Sequence, residues 1–155
     1  MYRILLFSFV FLTLDQLSKW FVVFYLGLQH KLYLNLNNQI INFYMAWNKG
    51  INFGLFEGDS VVQAYVLTAI SIVISIVFFI WLRNSTSFLM HILAALVIGG
   101  ALGNAIDRLL YGAVADFINI TCCGLRNPYS FNLADVFIFI GLIGLLVFKF
   151  EEKQN

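Results

Sequence analysis

Two aspartates, Asp116 in VADF and Asp135 in FNLAD, stand beside long apolar runs, where an ionisable side chain is costly and usually marks a functional site. Two carboxylates brought together in a poorly hydrated site cannot both ionise easily, so their proton affinities split. The ionised partner can then take a proton from water while the protonated one donates to a carbonyl oxygen. That is general acid-base hydrolysis of a peptide bond without a covalent intermediate. Asn104 and Asn132 carry amides that donate and accept, and suit orienting a carboxylate or a substrate backbone. The chain has no G-x-S-x-G and no H-E-x-x-H, so other hydrolytic schemes lack their residues. The spacing of Asp116 and Asp135 does not by itself demand contact.

Nearby charges have simpler explanations. Asp107 and Arg108 read as opposite charges at a helix end, structural in role, because an arginine beside a carboxylate holds it ionised. Asp15 and Lys19, in DQLSK, are four apart and share one helical face, where they can neutralise each other. That pair serves either helix packing or function, and either way its face points into protein.

The elements that must position these groups follow from composition. The 155 residues are 61% hydrophobic and 11% charged, against about a quarter charged in soluble domains. Mean hydropathy is +0.88, which places the chain in the membrane class. A net charge of +1 with no Lys/Arg run excludes a nucleic-acid partner. The adjacent Cys122 and Cys123 imply no disulfide framework, and with only His30 and His91 in distant segments a metal site lacks ligands. No cofactor is implied.

Four apolar segments, at about 4–26, 61–82, 88–108 and 133–150, suit the roughly 20 residues of a spanning helix. The expected fold is an all-α membrane protein of one domain, 1–155, with four transmembrane helices. The first segment follows Arg3 like a signal peptide, but no small-residue cleavage site follows and apolar character resumes after Lys19, so it reads as a retained helix. Residues 27–60 form a small β-rich excursion, in which INFYMAWNKGINFGLF reads as two short strands around an Asn48-Lys49-Gly50 turn. Trp47, Phe53 and Phe56 suit the membrane interface, and Gly50 and Gly54 suit turns. Asn48 is a candidate for positioning substrate backbone. Gly99 and Gly103 make a small-xxx-small packing face, and His91 reads as a polar residue near a helix start. Residues 109–130 read as a loop holding Asp116.

With the amino terminus inside, Arg3, Arg83, Lys149 and Lys153 fall on the cytoplasmic side and Lys31, Lys49 and Arg126 outside, so both termini are expected in the cytoplasm. Whatever the orientation, four crossings place Asn48, Asn104, Asp107, Arg108, Asp116, Asn132 and Asp135 at one membrane level, with Asp15 and Lys19 reaching it from the first helix. A site open to one face explains this convergence. The alternative is a proton- or ion-coupled transporter, but carriers favour a midplane site between repeated halves, and neither a repeat nor a matching broken helix is present.

The motifs DQLSK, NKGINFG, GGALGNAIDR, VADF and FNLAD, in that order across nearly the whole chain, closely resemble those of the lipoprotein signal peptidases, or signal peptidase II, bacterial aspartic membrane proteases. The resemblance implies four transmembrane helices with a small β cradle outside the cytoplasm, in the bacterial inner membrane. It implies removal of the signal peptide from prolipoproteins just before a cysteine that carries diacylglycerol, within membrane lipid, and inhibition by the cyclic peptide globomycin. Asp116 and Asp135 are then the catalytic aspartates. Asp15, Lys19, Asn48, Gly50, Asn104, Asp107, Arg108, Asn132 and Ala134 match positions that shape or support the site. The chain departs from the family pattern at Cys122-Cys123, at Val136 and at Asn52, which bears on substrate preference and not on the chemistry.

Overall fold

The stretch from Tyr2 has no glycine or proline to interrupt it and forms helix α1 (Tyr2–Lys19). It runs on without a break into a π-helical turn, Trp20–Tyr25, whose wider winding lets Trp20 and Tyr25, five apart, stack at 6.0 Å. Gly27, at φ +70°, ends it in the left-handed conformation that glycine adopts freely. A single helical turn α2 (Leu28–Lys31) follows, then strands β1 (Tyr33–Leu34) and β2 (Ile41–Asn48). Helices α3 (Ser60–Leu82) and α4 (Phe88–Tyr111) come next, then strand β3 (Val114–Ile120) and helix α5 (Leu133–Glu152). This computed structural model describes residues 1–36, 40–50, 60–121 and 127–152. Asn52, Phe53, Gly54, Phe56, Cys122, Cys123 and Arg126 lie outside the described residues, as does the strand expected after the Asn48-Gly50 turn.

The sheet corrects two expectations. Its order is β1-β2-β3, antiparallel, so the main partner of β2 is Val114–Ile120, within the stretch read as a loop. Trp47 faces Ala115 and Ala46 faces Asp116 across the ladder. Val114 to Phe117 are all buried, so β3 shows none of the in-out alternation by which a strand is recognised. The chain is mostly helical with a small sheet, as the expected helices and β-rich excursion had it, but the sheet's last strand is supplied from between α4 and α5 and not from within residues 27–60. Helix ends shift too: α4 runs to Tyr111, closed by Gly112 at φ +71°, and Ser87 Oγ caps its start by accepting from the Met90 N–H at 3.4 Å.

Among the described residues, three helices are long and apolar enough to cross a membrane: Tyr2–Tyr25, Val61–Leu82 and Phe88–Tyr111. Leu133–Phe148, within α5, is a shorter apolar stretch. Helix α4 is central and packs on α1, α3 and α5, with 72% of its most apolar window buried against 17% for α3. Lipid tails are as apolar as leucine, so close backbone approach and hydrogen bonds, not hydrophobicity alone, hold such helices together. Glycine provides the approach: a Cβ on Gly100 would stand 2.5 Å from the Ala134 carbonyl oxygen, and one on Gly103 2.5 Å from Asp15 Oδ2.

Direction follows from these contacts. Arg3 lies over the Phe88 ring near the starts of α1 and α4, and Lys19 meets Asn104 and Asp107 near their ends, so the two helices run parallel. Helix α5 runs against α4, with Ala134 beside Gly100 and Gly144 beside Leu93. The ends of α1 and α4, the start of α5 and the sheet thus gather at one end. There a polar layer lies between an apolar core around Ile4, Leu93, Val97 and Leu145 and a second around Val23, Leu28, Met45 and Phe117.

Candidate active site

Asp135 owes its position to a reciprocal helix cap. Asn132 Oδ1 accepts from the Asp135 N–H at 3.0 Å, and Asp135 Oδ2 accepts from the Asn132 N–H at 3.1 Å, the capping-box arrangement with Asn and Asp in its two places. The N-x-x-D spacing in FNLAD is the sequence signal for this cap. Asn132 has one group left, its amide nitrogen, which donates to Asp116 Oδ1 at 2.6 Å. A single, fully buried asparagine therefore grips both aspartates.

Asp116 comes from β3 and not from a loop. Its Oδ2 accepts from Asn48 Nδ2 at 3.0 Å, a diagonal contact across the β2–β3 ladder. Asn48 is itself held, because its Oδ1 accepts from the Gly50 N–H at 2.8 Å; Gly50 sits at φ +105°, which a side chain would strain. Asp135 has a second donor, Asn104 Nδ2, at 2.9 Å on Oδ1. Asp116 is 3% exposed, while Asp135 is only half-buried and lines a crevice with Phe131, Val136 and Phe139. Burial pushes the Asp116 carboxyl up to about 6, with the negative charge of Asp135 adding to it, against the pull of the Asn48 and Asn132 amides and of Lys19.

Beneath the pair lies a charge network that corrects one expected pairing. Asp107 turns away from Arg108 and pairs with Lys19 at 2.9 Å, and Lys19 also binds Asp15 at 2.7 Å. Adjacent residues on a helix point in different directions, so the sequence neighbours separate. Asp107 Oδ2 also accepts the Ala115 N–H at 3.1 Å, and Asp15 Oδ1 accepts the Ala134 N–H at 2.9 Å. Each of these carboxylates thus holds the residue immediately before one aspartate of the pair. Lys19 ties the two together and donates to Asn104 Oδ1 at 3.0 Å, which aims the Asn104 amide nitrogen at Asp135.

Gln16 completes this layer and was not singled out from the sequence. Its amide nitrogen donates to Asp107 at 3.0 Å, to Asp15 at 3.2 Å and to the Gly103 carbonyl at 3.2 Å. Its place beside Asp15 in DQLSK was the available signal, but a neutral side chain on an apolar helix carries no chemistry by itself. Arg108 donates to the Asn104 carbonyl at 3.5 Å and feels the charges of Asp135, Asp116 and Asp107. It borders a crevice of about 330 Å³ between α3, α4 and α5, apolar except for Ser71, Asn104 and Arg108. His91 lies far from this layer, buried, with neither ring nitrogen bonded among the described residues. All eleven residues singled out from the sequence belong to the one layer; Ala134, fully buried, contributes its backbone to both Asp15 and Gly100.

Comparison with known proteins finds relatives along nearly the whole chain. The signal peptidase (SPase) II family pattern matches residues 7–151. A lipoprotein signal peptidase of Nitrobacter hamburgensis is 40% identical over 142 residues, covering 90% of this chain and 86% of the relative. One from Caulobacter vibrioides is 37% identical over 147 residues, 94% of this chain and 85% of its own. One from Methylobacterium radiotolerans is 42% identical over 106 residues, 68% of this chain but only 61% of the relative's length. A bacterial membrane enzyme solved by the in meso method at 1.9 Å superposes with a TM-score of 0.78 at 25% identity, covering 95% of this chain and 92% of that one. With a family match spanning nearly all of its residues, the chain belongs to the signal peptidase II family of membrane proteases, which sets the carrier alternative aside.

Proposed function

We propose that the chain is an aspartic endopeptidase that removes the signal peptide from diacylglyceryl-modified prolipoproteins, cutting just before the lipidated cysteine, with Asp116 and Asp135 as the catalytic pair. The observation that carries this reading is the grip of Asn132 on both carboxylates, one of them buried and one at a crevice. The pair shares one proton. Its ionised member takes a proton from water as the water attacks the scissile carbonyl carbon, and its protonated member gives one to the carbonyl oxygen. Roles then reverse as the tetrahedral intermediate collapses: the leaving nitrogen takes a proton and the peptide C–N bond breaks.

Asn48, Asn104 and Asn132 hold the carboxylates without neutralising them. Asp15, Lys19 and Asp107 support the backbone beneath, Gly50 and Ala134 allow the close fit, and Arg108 stands at the mouth of the apolar crevice. That crevice supports a lipidated substrate, since an acyl chain would find Ile74, Phe78, Val97 and Leu142 along it. A globomycin-like cyclic peptide would compete for the same cleft. The chain is one domain, with α5 as the fourth crossing, both termini cytoplasmic and the sheet toward the extracytoplasmic face of the inner membrane. The test is cleavage of a purified prolipoprotein in detergent, with and without diacylglycerol on its cysteine. Cleavage of the lipidated form alone is expected, and equal cleavage of both would remove the lipid from the recognition.

A further inference from the structure

A groove of about 370 Å³ opens between α1, with its π-helical turn, and the carboxyl-terminal half of α4. None of Asn104, Asp116, Asn132 or Asp135 lines it, so it is distinct from the crevices beside the catalytic pair. Its polar wall is Gln16, Lys19 and Asp107; its aromatic wall is Trp20, Phe24 and Tyr111; and Leu12 and Leu17 continue it along the helix.

The charge behind that wall does not balance. Asp15 and Asp107 accept hydrogen bonds from the Lys19 ammonium, the Gln16 amide and the Ala134 and Ala115 N–H groups, all of them donors. The two acidic side chains share a single ammonium. Counted by formal charge the triad is one negative in excess, in surroundings where charge is poorly solvated. Arg108 feels Asp107 less than it feels Asp135 and Asp116, and it lines the opposite crevice with Asn104, so most of its charge is engaged on the other side. The aromatic wall matches the same sign: ring faces attract cations, and Phe24 and Tyr111 stand with ring centres 5.9 Å apart at the mouth. Trp20 is 56% exposed and Tyr111 47%, so both are accessible from the bilayer. The π-helical turn that presents Trp20 and Phe24 is a rare conformation, frequent at functional sites.

We propose that this groove binds the ammonium headgroup of a membrane phospholipid, the cation against Trp20, Phe24 and Tyr111 and an acyl chain along Leu12 and Leu17. The lipid offsets the excess charge of the triad from the side opposite the substrate. This rests on the chain being membrane-embedded and not on its cleavage chemistry.

The test uses the full chain in detergent, titrated with dioleoyl phosphatidylethanolamine or dioleoyl phosphatidylglycerol and read by native mass spectrometry together with thermal unfolding. The ethanolamine lipid is expected to stay bound and raise the Tm, and the glycerol lipid to do neither. Phe24→Leu and Trp20→Leu are each expected to weaken retention of the ethanolamine lipid about fivefold, while Trp81→Leu at the far end of α3 leaves it unchanged. The Tm of each variant without lipid shows that it is folded. Equal retention of the two lipids, or undiminished retention in both Phe24→Leu and Trp20→Leu, overturns the proposal.

Discussion

Four aspartates share one layer of this protein, yet Asp15 and Asp107 differ from Asp116 and Asp135 in the company they keep. The first two flank an ammonium at 2.7 and 2.9 Å and accept only from donors; the second two meet amides, with no ion pair to either among the described residues. An ammonium pairs with a carboxylate and ties it in place, whereas an amide orients it without a counter-charge. Identical side chains in one layer are thereby divided into an ion-paired frame and an amide-held pair, the pair to which catalysis is assigned in the proposed function.

The comparison breaks most visibly at the pair. Asp116→Asn and Asp135→Asn are each expected to lower prolipoprotein cleavage by at least about a hundredfold, the scale of general acid-base catalysis, without lowering the Tm. Retained activity in either would move that residue out of the pair. Lys19→Met attacks the frame, leaving Asp15 and Asp107 buried without their counter-ion, at a cost of about 3–5 kcal/mol, read by thermal unfolding in detergent. If that variant unfolded normally but lost cleavage, Lys19 would belong with the chemistry.

A protonation experiment sharpens the contrast. The Asp116 carboxyl, at about 6 in the folded chain against an ordinary 3.8, takes up a proton on folding. Its contribution to stability is therefore undiminished below about pH 4, falls by about 3 kcal/mol as pH rises to 6, and is level above that. Asp116→Asn should flatten that slope, measured as the Tm difference between pH 4.5 and 7.5. In cleavage, activity should fall on both sides of an optimum, with the alkaline limb near pH 6 as the pair loses its last proton. A profile flat across that range would contradict the shared proton. The smallest effect is expected from Asn104→Ala, which frees Asp135 Oδ1 of one donor, costs about 1 kcal/mol in transition-state positioning and is read as a several-fold loss of kcat with KM unchanged.

Much of this was legible in advance because membranes impose strong patterns. Long apolar runs named the helices, and ionisable residues beside them named the layer. What stayed hidden depended on contacts distant in sequence. Strand β3 is buried along most of its length, so no alternation announced it. The partner of Asp107 could not be read because Lys19 lies at the end of another helix, while Arg108 stood next to it in the chain. Gly103 read as a packing residue, and it does pack, but what it makes room for is the Asp15 carboxylate.

The bond from the Ala134 N–H to Asp15 joins residues 119 apart in the chain. Asn132, which grips both aspartates, stands two residues before Ala134. The layer therefore exists only when the first and last helices are both in place, so a cut anywhere between them that lets the halves separate would dismantle it.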